Sequence, residues 1–356
     1  MKKLNLAIIG QGRSGKDIHG RYYRSEDNIY YNIKYVVELD AYRRELALKN
    51  YPGCQVLEDY KDLYGKDDID LVVNASYSEM HYAITKDLLN AGFNVLVEKP
   101  FARTAYECRE LIKLAEDKGV TLAVFQQSFY APYYQFAKKV IADGTIGDIL
   151  QVNVRFNGFA RRWDWQTILR KVAGGLYNTG PHPVGFALGF LDFDKDARIA
   201  YSKLGTALTS GDGDDYAKII LTAPGKPCVD VEVCSNDAYS TYNIKLLGTK
   251  GTLVCRVADY QLTYIKDGEN VERPVIEESL KNEELEPIFC SEQLIKHIEE
   301  AEFDGDPFSV GTPRLYEDLY FKLTEGRPMQ VNAEMAAEII RVIEGCHVET
   351  PLPVKF

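Results

Sequence analysis

Lys99 is the residue whose setting most clearly suggests chemistry. It stands in "EKP", at the exit of the apolar run "NVLV" and directly before Pro100. A proline restricts the residue preceding it, so this ammonium is held at a strand end, and a cis Lys99–Pro100 bond would suit such a turn. Beside a nicotinamide, a lysine so placed can bind a substrate hydroxyl and stabilise alkoxide character as hydride leaves. The plainer alternative is a surface lysine. A second stretch, "GGLYNTGPHPVG" (174–185), sets Asn178 and His182 among four glycines and two prolines. Glycine there serves either to turn the chain or to let backbone and histidine approach a ligand, and the residues alone leave both open.

A nicotinamide requires a cradle, and "AIIGQGRSGKDIHG" offers one. Gly10, Gly12 and Gly15 follow an expected strand and open an expected helix, with Gln11, Arg13 and Ser14 between them. Glycines let backbone approach a pyrophosphate that the helix N-terminus then stabilises. Glu38 closes the second strand, where a carboxylate accepts the ribose hydroxyls of an adenosine and repels a 2′-phosphate. NAD is therefore favoured over NADP, with Arg43 and Arg44 the residues that would admit the latter. Asp40 is expected to cap the next helix. Ligands of a doubly wound sheet lie beyond the carboxyl ends of its strands. Ser76, Tyr77 and His81 in "NASYSEMH", and Glu98 with Lys99, are expected there; His81 is equally a core histidine by residue type.

The elements that would position these residues are legible as patterns. "LNLAIIG", "IKYVVELD", "DLVVNAS", "NVLVEKP" and "VTLAVFQ" read as strands separated by helical stretches, which implies a parallel sheet. One helix is signed by a Thr104/Glu107 capping box and by Gly119 at its end. After a helix beginning near Pro132 and ending before Gly144, strand-like runs follow one another with turns between, as in a largely antiparallel sheet. The class is α/β: a dinucleotide-binding domain over 1–124, then an α/β domain over 125–356. A helix over about 332–345, capped by Asn332, must bury its Ala336, Ile339, Ile340 and Ile343 stripe against one of them.

Composition narrows the partners. A net charge of −11 disfavours nucleic acid and anionic membrane surfaces. The seven cysteines are scattered without metal-ligand spacing, so no metal site is expected and free thiols in a reducing cytoplasm are the simplest reading. The apolar run at the N-terminus is too short for a secretory signal and ends in the glycine loop.

The chain resembles the Gfo/Idh/MocA oxidoreductases, the glucose–fructose oxidoreductase and inositol dehydrogenase family. "GQGRSG", Glu38, "EKPFA", "IADGTIGDI", "RRWDW", "GGLYNTGPH" and the closing "LTEGRPMQVNAEMAAEIIRVIEG" carry the likeness over essentially the whole length. The resemblance implies an N-terminal Rossmann domain and a C-terminal α/β domain whose open sheet forms a homodimer or homotetramer. It also implies that 174–185 is a helix start at the active site, with His182 as the acid/base group facing the nicotinamide. Two positions depart from the pattern, with Asn178 and Gly185 standing where the family commonly has aspartates. Asn178 can orient a hydroxyl but cannot accept a proton, which leaves Lys99 and His182 to carry the chemistry.

Arg161, Arg162, Trp163 and Trp165 are candidates to line the substrate cleft, the rings by stacking on a sugar and the arginines by reaching hydroxyls or a carboxylate. The resulting expectation is an NAD(P)-dependent oxidoreductase acting on a ring secondary alcohol of a sugar, sugar derivative or cyclitol. Two rivals remain: an NAD-dependent glycosidase working through transient oxidation and elimination, and a non-catalytic cofactor or sugar sensor.

Overall fold

The computed structural model describes residues 2–356. Six strands, β1 (Leu4–Ile9), β2 (Tyr31–Val37), β3 (Gln55–Leu57), β4 (Leu71–Asn74), β5 (Val95–Val97) and β6 (Leu122–Val124), form a parallel sheet in the order β3-β2-β1-β4-β5-β6. The order reverses between β1 and β4, which opens a crevice at their carboxyl ends. β4 and β5 are buried throughout, as strands covered on both faces must be. β3 is three residues long and partly exposed; it lacks the apolar run by which the other five announce themselves.

The connections carry the expected signals. Asp40 caps the helix Ala41–Asn50 by accepting from the Arg43 amide, and the Thr104/Glu107 box opens the helix Ala105–Lys118, which Gly119 closes at φ 67°. The helix after the glycine loop begins as a wide π-helical turn over Arg13–His19 and continues over Gly20–Tyr23.

The second sheet comprises β7 (Ile149–Asn157), β8 (Arg198–Gly205), β9 (Tyr216–Thr222), β10 (Cys228–Cys234), β11 (Ile244–Gly248), β12 (Gly251–Cys255), β13 (Asp259–Tyr264) and β14 (His297–Glu302). Its order is β14-β13-β12-β11-β7-β10-β9-β8, antiparallel except where β10 pairs with β7. β8, β13 and β14 carry mixed or largely exposed patterns and were not evident as strands. Val229, Val231 and Val233 face the core, so the alternate residues Asp230 and Glu232 face outward. There they join Arg155 and Lys218 in an ion-pair lattice with contacts of 2.7 and 2.8 Å to Asp230. Between β13 and β14 the chain leaves the sheet over 265–296 as an exposed arm whose two branches hold each other through Asn270–Ile295 and Arg273–Glu292 contacts.

The helices Pro132–Ala142 and Pro181–Phe190 lie against the inner face of this sheet. The helix Ala333–Glu349 packs against Ala105–Lys118 on one side and against Pro181–Phe190 and β8 on the other. It is fastened by Glu344, which accepts from the Ala105 amide at 2.8 Å, and by an Arg109–Glu338 ion pair of 2.9 Å. The segment bearing His182 is thereby held in register with the helix Ala105–Lys118 of the parallel-sheet layer.

Candidate functional site

The glycine loop runs from β1 into its helix. A Cβ at Gly10, whose φ is +89°, would lie 2.5 Å from the Ala75 carbonyl oxygen, and one at Gly15 would lie 2.0 Å from that of Gly10. Gly12, by contrast, faces open space. The first and third glycines therefore let the loop close on itself, and the second leaves room for a ligand. The helix entry has no side-chain cap, so the amides at its start, around Arg13 and Ser14, are available to an anion. Glu38 holds the loop: its carboxylate accepts from the Gln11 amide at 2.7 Å and from the Asp40 amide at 3.0 Å. Arg44 is engaged with the carbonyls of Glu38 and Leu39 and with Glu58 at 2.6 Å. Arg43 stays exposed, 3.8 Å from Glu38. These features fit an adenine dinucleotide.

Across the crevice, the Lys99–Pro100 bond is cis, and the Lys99 ammonium donates to the Asn178 main-chain carbonyl at 2.8 Å. Burial lowers its pKa; Glu98 opposes this, while Arg13 and Arg162 add to it. The stretch 174–185 folds as a short helical turn, Gly175–Asn178, a break, and the helix Pro181–Phe190. Gly174, at φ +109°, sits where a Cβ would meet the Asp214 carboxylate at 2.4 Å, so glycine here serves the turn. His182 lies in the first turn of the second helix. Its Nδ1 is 2.9 Å from the Ser128 hydroxyl, Phe156 stacks on its ring, and Nε2 has no hydrogen-bond partner among the described residues. Burial, then the Lys99 charge, push its pKa down to about 3. The ring is neutral at neutral pH, and with Nδ1–H donated to Ser128 it presents the Nε2 lone pair.

Asn178 is gripped from both sides. Its carbonyl binds Lys99, and its side-chain oxygen accepts from Gln166 at 3.0 Å, with Gln166 in turn against Arg162. Arg162 also pairs with Asp164 at 2.7 Å. Trp165 meets Tyr77 edge-to-face at 5.0 Å, joining the loop after β4 to the 160–171 segment. Arg161 and Trp163 are exposed, the latter at 77%.

Two residues expected at the cofactor turn inward. Glu98 is buried, its carboxylate 3.0 Å from His19 Nε2, and His19 Nδ1 meets the Tyr316 hydroxyl at 2.8 Å. Burial alone would raise the Glu98 pKa; His19, then Lys99 and His81, hold it down at about 2. His81 is also buried, its ring between the carbonyls of Pro100 and Ser76 at 2.7 and 3.2 Å. A side chain closed off in this way shapes the strand-end loops and has no free atom for a ligand. Ser76 spends its hydroxyl on Asn74 at 2.7 Å.

Sequence reasoning missed Ser128, Gln166 and Asp214. Asp214, fully buried, accepts from the Leu176 amide at 2.7 Å and so starts the turn that ends in Asn178. Burial raises its pKa to about 7. The native protein then retains a proton that the unfolded chain, ionising near the ordinary aspartate value, has released, so this group's contribution to stability weakens as pH rises from about 4 to 7. Asp214→Asn keeps an acceptor for Leu176 and cannot ionise. Its unfolding midpoint relative to the parent rises across that interval and is constant above it, as measured by denaturation at pH 4, 6 and 8. Ser128→Ala is expected to lower turnover about three- to ten-fold, the worth of one neutral hydrogen bond, without changing NAD affinity by titration.

Among the described residues no group of three or more histidines, cysteines or carboxylates is placed to hold a metal. A 3-2-1-4-5-6 parallel sheet, an open glycine loop and an acid at the end of β2 define a dinucleotide-binding protein with its crevice facing a second α/β layer. The chain belongs to the Gfo/Idh/MocA oxidoreductases: residues 4–126 match the oxidoreductase family with NAD-binding Rossmann fold, and residues 134–254 match the Gfo/Idh/MocA C-terminal domain. It is 24% identical over 348 residues to the uncharacterized oxidoreductase YhhX of Escherichia coli K12, covering 96% of this chain and 95% of the relative. It is 27% identical over 254 residues to an inositol 2-dehydrogenase of Salmonella paratyphi B, covering 70% and 72% of the two chains. The same fold occurs in GenD2 from gentamicin A biosynthesis, solved in complex with NAD, at a TM-score of 0.78, 20% identity, and coverage of 98% of this chain and 94% of that one.

Proposed function

We propose that the protein is an NAD-dependent dehydrogenase or reductase acting on a ring secondary alcohol of a sugar, sugar derivative or cyclitol. The observation that carries this is that Lys99, tied to the Asn178 carbonyl at 2.8 Å, lies close enough to His182 for its charge to lower that ring's pKa, although the two come from connections of different sheets. When bound, with the glycine loop holding its pyrophosphate, NAD would supply the hydride acceptor. His182 Nε2 takes the hydroxyl proton, and Lys99 stabilises the negative charge gathering on the same oxygen. Asn178 orients the substrate through its amide, the oxygen of which is already engaged by Gln166. Glu38 would confront a 2′-phosphate and Arg44 is committed elsewhere, which favours NAD over NADP.

The division into a nucleotide part over 1–124 and a substrate part over 125–356 belongs to this reading, as does work in the cytoplasm; no helix among the described residues is long and apolar enough to cross a membrane. So does assembly into a homodimer or homotetramer, with a second copy covering the outward lattice of the large sheet and the 265–296 arm.

The test is the appearance of reduced-nicotinamide absorbance when purified protein is mixed with NAD and a panel of hexoses, uronates, glycosides and inositols. NAD binding without absorbance, accompanied by glycoside cleavage, would replace this reading with the redox-neutral glycosidase. Absence of NAD binding would end both.

A further inference from the structure

We propose that the polyol this site accepts carries an anionic group, a carboxylate or a phosphate ester, bound by the cationic 160–171 segment at the substrate end of the crevice. This rests on the dehydrogenase reading of the same site. The chain as a whole is acidic, at −11, yet the stretches that frame the crevice are not. "ARRWDWQTILRK" (160–171) bears four cations and one carboxylate, "GQGRSGK" (10–16) bears two cations and no carboxylate, and "EKPFAR" (98–103) bears two cations and Glu98. Glu98 is spent on His19 in the interior.

The internal partners neutralise only part of this charge. Asp164 takes Arg162 at 2.7 Å, and Glu79 takes Lys171 at 3.3 Å. Arg103 donates to the carbonyls of Leu169 and Arg170. Lys99, Arg13, Arg161 and Arg170 have no carboxylate within ion-pair distance among the described residues. Lys99 and Arg162 are moreover linked through Gln166 and Asn178, so the paired guanidinium and the bare ammonium stand at two ends of one short chain of hydrogen bonds.

Like charges gathered in a partly dry cleft repel one another unless an anion completes the set. Arg13 follows Gly12 at the helix entry, and the dinucleotide pyrophosphate accounts for it. Arg161 and Arg170 belong to the 160–171 segment of the other layer, where both are exposed and neither has a carboxylate partner among the described residues. A substrate oxyanion on that side supplies what is missing, and a guanidinium fork matches carboxylate or phosphate geometry.

The experiment uses the full chain with NAD and matched probes: D-glucuronate and N-acetylneuraminate for the carboxylate, glucose 6-phosphate for the phosphate ester, D-glucose and myo-inositol as neutral counterparts. An anionic probe is expected to exceed the neutral ones in kcat/KM by about 10²-fold, with the advantage falling as salt rises from low to high ionic strength. Arg161→Gln should raise KM for that probe about ten-fold, the loss of one charge-assisted contact, and leave KM for NAD unchanged. The arm that responds tells carboxylate from phosphate. Turnover of neutral probes without anionic advantage, indifferent to Arg161→Gln, would overturn the inference and leave the dehydrogenase reading intact. If no probe turns over, calorimetry of glucuronate and glucose 6-phosphate on the NAD-loaded protein decides: binding lost in Arg161→Gln upholds the anion site while the dehydrogenase reading fails, and no binding overturns the anion site.

Discussion

His182→Ala is expected to lower kcat by about 10²- to 10⁴-fold, the usual contribution of a positioned general acid–base group, while NAD affinity measured by fluorescence titration is unchanged. Ser128 occupies Nδ1 at 2.9 Å, Phe156 fixes the ring plane, and burial beside Lys99 keeps it uncharged. Only Nε2 is left to act. On the proposed reading the adenosine half of NAD is held by the glycine loop and Glu38, so alanine at 182 removes no contact there. Retention of full activity in this variant would transfer the proton acceptor role away from 182.

Lys99→Met is expected to cost about 10²- to 10³-fold in kcat, comparable to removal of one oxyanion-stabilising donor, with Lys99→Arg a poor rescue. Methionine fills similar space without charge. Arginine keeps the charge, but its planar fork cannot donate to the Asn178 carbonyl from the same point. The variant also removes the partner of that carbonyl, so thermal unfolding is measured in parallel. A loss of kcat at unchanged melting temperature attributes the effect to chemistry; equal turnover by Lys99→Met and the parent would remove the lysine from the mechanism.

What could be read before folding follows a physical line. Asp40 as a cap and the Thr104/Glu107 box act through neighbours near in the chain, and the glycine loop and Glu38 stand at a recognisable spacing from each other, so all of these are visible. Ser128 is 54 residues from the ring it orients and Asp214 is 38 from the amide it caps. Such partners have no spacing to recognise, since the tertiary fold alone brings them together. Glu98 shows the converse: its place at the carboxyl end of a strand suggested the cofactor crevice, but successive residues at a strand end point to opposite sides, and Glu98 turns inward to His19. His81 is closed off by the carbonyls of Pro100 and Ser76, which no local pattern announces. β3, β8, β13 and β14 lack either length or a clean alternation, and are strands because of what lies beside them.

The hold on Lys99 has an evolutionary reach. The ammonium is tied to the main-chain oxygen of residue 178, an atom that every amino acid carries. The side chain at that position can therefore be exchanged, aspartate for asparagine or otherwise, without untying the lysine.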